Sequence, residues 1–217
     1  MRRIGLVLAC LGVLFGGCRL RTGTLPPIRV ASVDFDPNDP FVDQRTILLA
    51  GELNPVSART ICQSLVYLDG LSDEPISILV YSSGGDGHAY LTISNVMGLL
   101  QSPVDVVNIS FCGSAAALLM QSATGERLAM RDSIFAIHPG RGRPAELVRM
   151  FNKKQNEVFS ERTDLPREWF PLDSEYFFTA AEALEYGFID ELIQPQQALS
   201  TDSGQAGEPS RDGQAYR

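Results

Sequence analysis

The sequence predicts an α/β domain with a largely parallel sheet, on three observations. Short aliphatic, β-branched runs recur from about residue 44 to residue 194. Segments with apolar residues at helical spacing separate most of them, and Gly, Pro or Asn marks many of the junctions. Strand runs alternating with helices place parallel neighbours in one sheet with helices over its faces.

Taken in order, Thr46–Ala50 reads as a buried strand stopped by Gly51. Asn54-Pro55 supplies an N-cap and a first-turn proline, and Val56, Ile61, Leu65 and Leu68 carry a helix to Asp69-Gly70. Ile76–Tyr81 is a second strand, closing on Ser82-Ser83-Gly84-Gly85. Ala89–Leu100 follows as a helix with Ile93, Val96, Met97 and Leu100 on one face. Val104–Ile109 is a third strand and Ser114–Ser122 a helix of small residues. Arg127–Met130 and Ile134–Ile137 are short strands, and Ala145–Arg162 is a polar amphipathic helix. An apolar strand after Asp173, a helix over Ala180–Tyr186 and a strand over Ile189–Ile193 complete the domain.

Composition narrows the function. Of the 217 residues, 44% are hydrophobic and 20% charged, a globular balance that excludes disorder throughout. A net charge of −8 argues against nucleic acid as the main partner, since phosphate binding needs a basic face. Four cysteines, at 10, 18, 62 and 112, are too few and too scattered for a disulfide scaffold or zinc knuckle. Two histidines, His88 and His138, leave no multi-histidine metal site, so no metal is expected. Cys62 and Cys112 lie in apolar contexts and are expected as buried thiols.

Residues 1–17 have the form of an export signal. Arg2-Arg3 precedes an apolar run from Ile4 to Phe15, then Gly16-Gly17-Cys18. From Ile4 to Gly17 is 14 residues, too short to span a bilayer, which takes about 20. Leu14-Phe15-Gly16-Gly17-Cys18 resembles a bacterial lipobox, which would make Cys18 the lipidated first residue of the mature chain. Phe15 departs from the small or aliphatic residue usual at its position. The expectation is an exported protein held to the periplasmic side of a membrane by lipid. Residues 18–43, with Pro26-Pro27, Pro37 and Pro40, read as a flexible tether, and 195–217 as a polar, disordered tail.

The candidate chemistry sits at strand ends. Ser114 follows Gly113 at the junction of a buried strand and an alanine-rich helix, where amides and the helix dipole favour negative charge. The same position suits a serine that is only an N-cap. Gly84-Gly85 ends a buried strand, so main-chain N–H groups can approach a ligand there; the plainer alternative is a turn. His138 ends the strand Ile134–Ile137, with Pro139-Gly140 after it, and Asp173 and Glu175 precede an apolar strand.

Together these pieces resemble the ClpP-type serine peptidases of the ClpP/crotonase superfamily. The resemblance runs through Ile47-Leu48-Leu49-Ala50-Gly51, Ser82-Ser83-Gly84-Gly85, Gly113-Ser114-Ala115 and Ala136-Ile137-His138. It ends on Glu175-Tyr176-Phe177-Phe178-Thr179-Ala180-Ala181-Glu182-Ala183-Leu184-Glu185-Tyr186-Gly187-Phe188-Ile189-Asp190. It implies a fold of repeated β-β-α units and a Ser-His-acid triad of Ser114, His138 and Glu175. The N–H groups of Gly85 and Ala115 would then form the oxyanion hole. It implies no cofactor, a peptide or unfolded protein as substrate, and a homo-oligomer.

The departures are specific. Glu175 stands where the family has Asp, and Asp173, two residues earlier, is the alternative acid. Ser83 replaces the family's proline before the glycines. The 24-residue spacing from Ser114 to His138 is one short of the commonest members, so another alignment puts Gly113 at the nucleophile position. The stretch from His138 to Glu175 is shorter than the family's projecting handle, which weakens the expectation of a closed double ring. The leading expectation is an ATP-independent peptidase; the alternative is a catalytically inactive relative that binds or scaffolds. A crotonase-type acyl-CoA enzyme would need neither Ser114 nor His138 and fits export poorly. Asn95, Arg141 and Arg143 are polar residues expected on a solvated face.

Overall fold

A computed structural model describes Phe41 and residues 44–194. The segments expected as export signal (1–17), tether (18–43, Phe41 apart) and tail (195–217) lie outside the described residues.

Over residues 44–194, seven strands and five α-helices follow one another as β1 (Thr46–Ala50), α1 (Pro55–Asp69), β2 (Ile76–Ser82), α2 (Gly87–Met97), β3 (Val104–Gly113), α3 (Ala115–Gln121), β4 (Arg127–Met130), β5 (Ile134–Ile137), α4 (Ala145–Arg162), β6 (Tyr176–Thr179), α5 (Ala180–Glu185) and β7 (Glu191–Ile193), with a 3-10 turn at Arg167–Trp169. The sheet order β1-β2-β3-β4-β7 is parallel throughout, and β5 and β6 leave this path as a branch. The predicted α/β class with a largely parallel sheet is the one observed.

Strand β3 positions the site because it changes partner along its length. Val106–Asn108 pair with β4, and Phe111–Gly113 pair with β5. At the fork the Asn108 side chain is fully buried; its Nδ2 donates to the Ile134 carbonyl (3.0 Å) and its Oδ1 accepts from the Ser110 N–H (3.1 Å). A buried amide there replaces ladder bonds that a strand loses on switching neighbours. The sequence reading stopped this strand at Ile109, because Ser110 interrupts the apolar run; pairing with β5 carries it on to Gly113.

Helix α1 begins where Asn54-Pro55 predicts. The Asn54 Oδ1 accepts from the N–H groups of Val56 and Ser57, and the Ser57 hydroxyl accepts from the Asn54 N–H. Helix α2 starts at Gly87 instead of Ala89, because Asp86 is its cap and accepts from the His88 N–H (2.6 Å). Leu65, Leu68, Ile76, Ile78, Val80, Ile93, Val104 and Val106 are all completely buried between sheet and helices. Each aliphatic side chain so buried contributes on the order of 1.5–3 kcal/mol. A second, aromatic packing centre stacks Phe135 on Phe178 and sets Phe188 edge-on to both, with Phe159 of α4 against Phe188. Within α4 Gln155 and Phe159 are the buried residues; Val148, Phe151, Asn152 and Val158 are half-buried, and most of the rest of the helix faces solvent.

Candidate active site

Ser114 stands between the end of β3 and the start of α3 with φ 53° and ψ −121°, a region that costs a non-glycine residue about 1–3 kcal/mol. Among the described residues one other non-glycine residue has positive φ, Arg45 (φ 52°). Its guanidinium donates to the carbonyls of Leu68, Ser72, Glu74 and Pro75, which accounts for the strain locally. Ser114 has no such compensation. Although it occupies the N-cap position of α3, its side chain makes no capping bond, and its Oγ bonds to no described residue. The backbone instead is fixed: the Ser114 N–H donates to the Ala136 carbonyl (2.8 Å), and every residue of α3 is buried. A sharp strand-to-helix turn that presents an unengaged hydroxyl is the geometry of a nucleophile elbow.

Gly84 makes the elbow possible from the opposite side. It has φ +96°, and a Cβ there would lie 2.6 Å from the Gly113 carbonyl oxygen, 2.7 Å from Ser114 Cβ and 2.8 Å from the Ala115 nitrogen. Gly85, at φ +142°, is packed so that a Cβ would collide with the Leu53 carbonyl. Neighbouring bonds run from Leu53 N–H to Gly84 and from Asp86 N–H to Leu53, while the N–H groups of Gly85 and Ala115 donate to no described residue. Two unused amides thus flank the serine, one from each strand end.

His138 follows β5 directly. Its Nδ1 lies 2.9 Å from the Pro139 carbonyl, which can only accept, so the contact is a hydrogen bond in which Nδ1 donates. The loop after it is tied to α4: Gln155 Nε2 donates to the His138 carbonyl (2.7 Å), and the Gly140 N–H donates to Asn152 Oδ1 (2.6 Å). Ser114, His138, Gly84, Gly85 and Ala115 line one cleft of about 430 Å³, completed by Glu52, Leu118, Arg141, Val148, Phe151 and Gln155. Arg141 therefore faces this cleft, whereas Asn95 and Arg143 are exposed elsewhere.

The acids stand apart from the cleft. Strands β5 and β6 are antiparallel, and their ladder ends at the pair Ile137 and Tyr176, so His138 and Glu175 each stand one residue beyond it. Glu175 is exposed and forms no hydrogen bond or ion pair with a described residue. Asp173 is engaged otherwise, accepting from the Tyr176 hydroxyl (3.2 Å). Cys112, two residues before Ser114, is fully buried and its thiol is pushed up; burial also raises Cys62, which is half-buried, to about 11. Neither is a thiolate near neutral pH, so sulfur is no competing nucleophile. No cluster of metal-ligating side chains occurs among the described residues.

A fold in which parallel strands end on a glycine pair, a serine elbow and a histidine is the fold of the Clp proteases. The Clp protease family matches residues 31–196, and the chain belongs to it. A solved structure of a ClpP1 mutant from Listeria monocytogenes is 26% identical over 71% of this chain and 94% of that one, with a TM-score of 0.66. In fold and family the protein is thus ClpP-like, and the family is one of peptidases.

Sequence reasoning named Ser114, His138, Gly85 and Ala115, all of which line the cleft, and Glu175, which does not. It missed Gln155, Asn152 and Phe151. Those lie on a helix whose polar pattern looks like a solvated face, and the bonds of Gln155 to His138 and of Asn152 to Gly140 span 17 and 12 residues. The one available signal was amide side chains, Asn152 and Gln155, spaced one helical turn apart.

Proposed function

We propose that this chain is an ATP-independent serine peptidase acting on short or already unfolded peptides. The observation that carries the reading is Ser114: strained, uncapped, and facing a cleft that also holds His138 and two unbonded amides. Ser114 Oγ attacks the scissile carbonyl carbon while His138 Nε2 takes its proton. The N–H groups of Gly85 and Ala115 hold the resulting oxyanion, each such donor being worth about 2.7–4 kcal/mol of barrier. The C–N bond then breaks, Nε2 returns the proton to the leaving amine, and water repeats the sequence on the acyl-enzyme. Glu175, one residue beyond the end of the β5–β6 ladder as His138 is, is the carboxylate assigned to stabilise the imidazolium by its charge, while the Pro139 carbonyl keeps the Nδ1 proton. A homo-oligomer is expected from the family.

A fluorophosphonate probe tests this directly, since only an activated serine reacts. Wild type should label and Ser114→Ala should not. The exposure of Glu175 favours a second reading, a catalytically silent binding or scaffold protein. Absence of labelling in folded wild type would establish that reading in place of the first.

The address is proposed from the sequence. Residues 1–17 serve as an export signal and Cys18 as the lipidated terminus, which anchors the domain to a membrane on the periplasmic side. Cys18→Ser should release the domain to the soluble fraction or leave an uncleaved precursor. Mass spectrometry finding unmodified Met1 on a soluble cytoplasmic protein would refute it.

A further inference from the structure

We propose that Gln155 and Asn152 of α4 are positioning residues that fix the tautomer and direction of the His138 ring. The inference rests on the reading of Ser114 and His138 as a catalytic pair. Three consecutive residues, His138, Pro139 and Gly140, are involved. Gln155 holds the first, donating from Nε2 to the His138 carbonyl at 2.7 Å. Asn152 holds the third at both ends, accepting from the Gly140 N–H at 2.6 Å and donating to its carbonyl at 3.3 Å. Between these clamps lies the Pro139 carbonyl, and that is the group the ring's Nδ1 bonds at 2.9 Å.

A carbonyl whose neighbours on both sides are pinned is itself a fixed acceptor. It keeps the proton on Nδ1 and the lone pair on Nε2, the tautomer a general base for a serine requires. Gln155 is one of only two buried residues in α4, and burying a polar amide is unfavourable unless it is bonded. Its burial is explained by the bond to His138. Neither amide hydrogen-bonds the ring, so both act through the loop.

The test uses the full chain. Fluorophosphonate labelling rates and p-nitrophenyl acetate hydrolysis are measured for wild type, Gln155→Met, Asn152→Leu and Asn152→Asp, with melting temperature as the fold control. Misplacing a catalytic group by about 1 Å costs up to about a hundredfold, so Gln155→Met should label about tenfold or more slowly and lower kcat with KM unchanged. Asn152→Asp keeps the acceptor for the Gly140 N–H and should retain most of the rate that Asn152→Leu loses. With ¹⁵N-histidine, and His88 removed by His88→Gln, the ring should read as the Nδ1–H tautomer in wild type and shift toward Nε2–H in Gln155→Met. Labelling at the wild-type rate in a folded Gln155→Met overturns the proposal. If that variant fails to fold, an unchanged rate in Asn152→Leu overturns it instead. Absence of labelling in wild type overturns the catalytic reading itself, a different result.

Discussion

Ser114 stands where a wholly buried helix meets the end of the longest strand, whereas His138 stands on a loop tied down by amides of a mostly exposed helix. On the serine wall, position is set by backbone. The elbow is held by a ladder-type bond to Ala136 and by close contact with Gly84, and the side chain takes no part. On the histidine wall, position is set by side chains, those of Gln155 and Asn152. The difference teaches that the nucleophile is as stable as the core, while the base is only as fixed as α4.

The largest expected effect attacks the serine side chain alone. Ser114→Ala should abolish labelling and any peptidase activity while leaving the urea midpoint near wild type, because Oγ bonds to no described residue. A large loss of stability would mean that the hydroxyl is structural after all.

Next comes the glycine behind it. Gly84→Ala forces a Cβ to within 2.8 Å of three backbone or Cβ atoms of the elbow, at a φ of +96°. Overpacking and backbone strain together should cost about 3 kcal/mol or more in urea unfolding. Labelling should fall with stability, in contrast to the histidine-wall variants, which should lose rate and keep their fold.

The two walls also differ in how visible they were in the sequence. The Gly-Gly strand end, the Gly-Ser-Ala turn and the strand ending at His138 are local patterns, so the sequence places them in the right order at strand termini. The φ of Ser114 is not local: it depends on β3 switching from β4 to β5, which only the fold reveals. Gln155 and Asn152 were illegible for another reason, since a polar residue on a polar helix gives no sign of which backbone it will meet. Asp86 was missed as the cap of α2 because it follows two glycines and reads as part of a turn.

The acids give a smaller test of the histidine wall. Glu175→Gln should slow hydrolysis by about tenfold, within the range for one partner in general acid–base catalysis, and Asp173→Asn should do less. The former stands, like His138, one residue beyond the Ile137–Tyr176 pair, while the latter is bonded to the Tyr176 hydroxyl. The reverse ranking would reassign the third member. Equal and slight effects would mean that the Pro139 carbonyl alone orients the ring.

The smallest effect lies away from both walls and serves as their control. Arg127 of β4 donates to Asp190, Gln121 and the carbonyls of Arg162 and Gly187, joining α3, α4 and the turn before β7. Partial burial pushes the Asp190 carboxyl up, but the hydrogen bonds and charge of Arg127 outweigh it, and the carboxyl titrates below its ordinary value of 3.8. A carboxylate lowered in the folded state stabilises at any pH above its unfolded value, and that stabilisation fades as pH falls through the lower, folded value. The urea midpoint should therefore drop as acid is added below about pH 4, and the Asp190→Asn variant should drop less. Because Asp190 is 42% exposed and its pair is screened, its loss at neutral pH should cost less than about 1 kcal/mol. The labelling rate should not move. A labelling rate that did follow Asp190→Asn would couple this junction to the cleft through α4, whose last turn Arg127 holds at the Arg162 carbonyl, and would make the histidine wall less independent of the core than its hydrogen bonds imply.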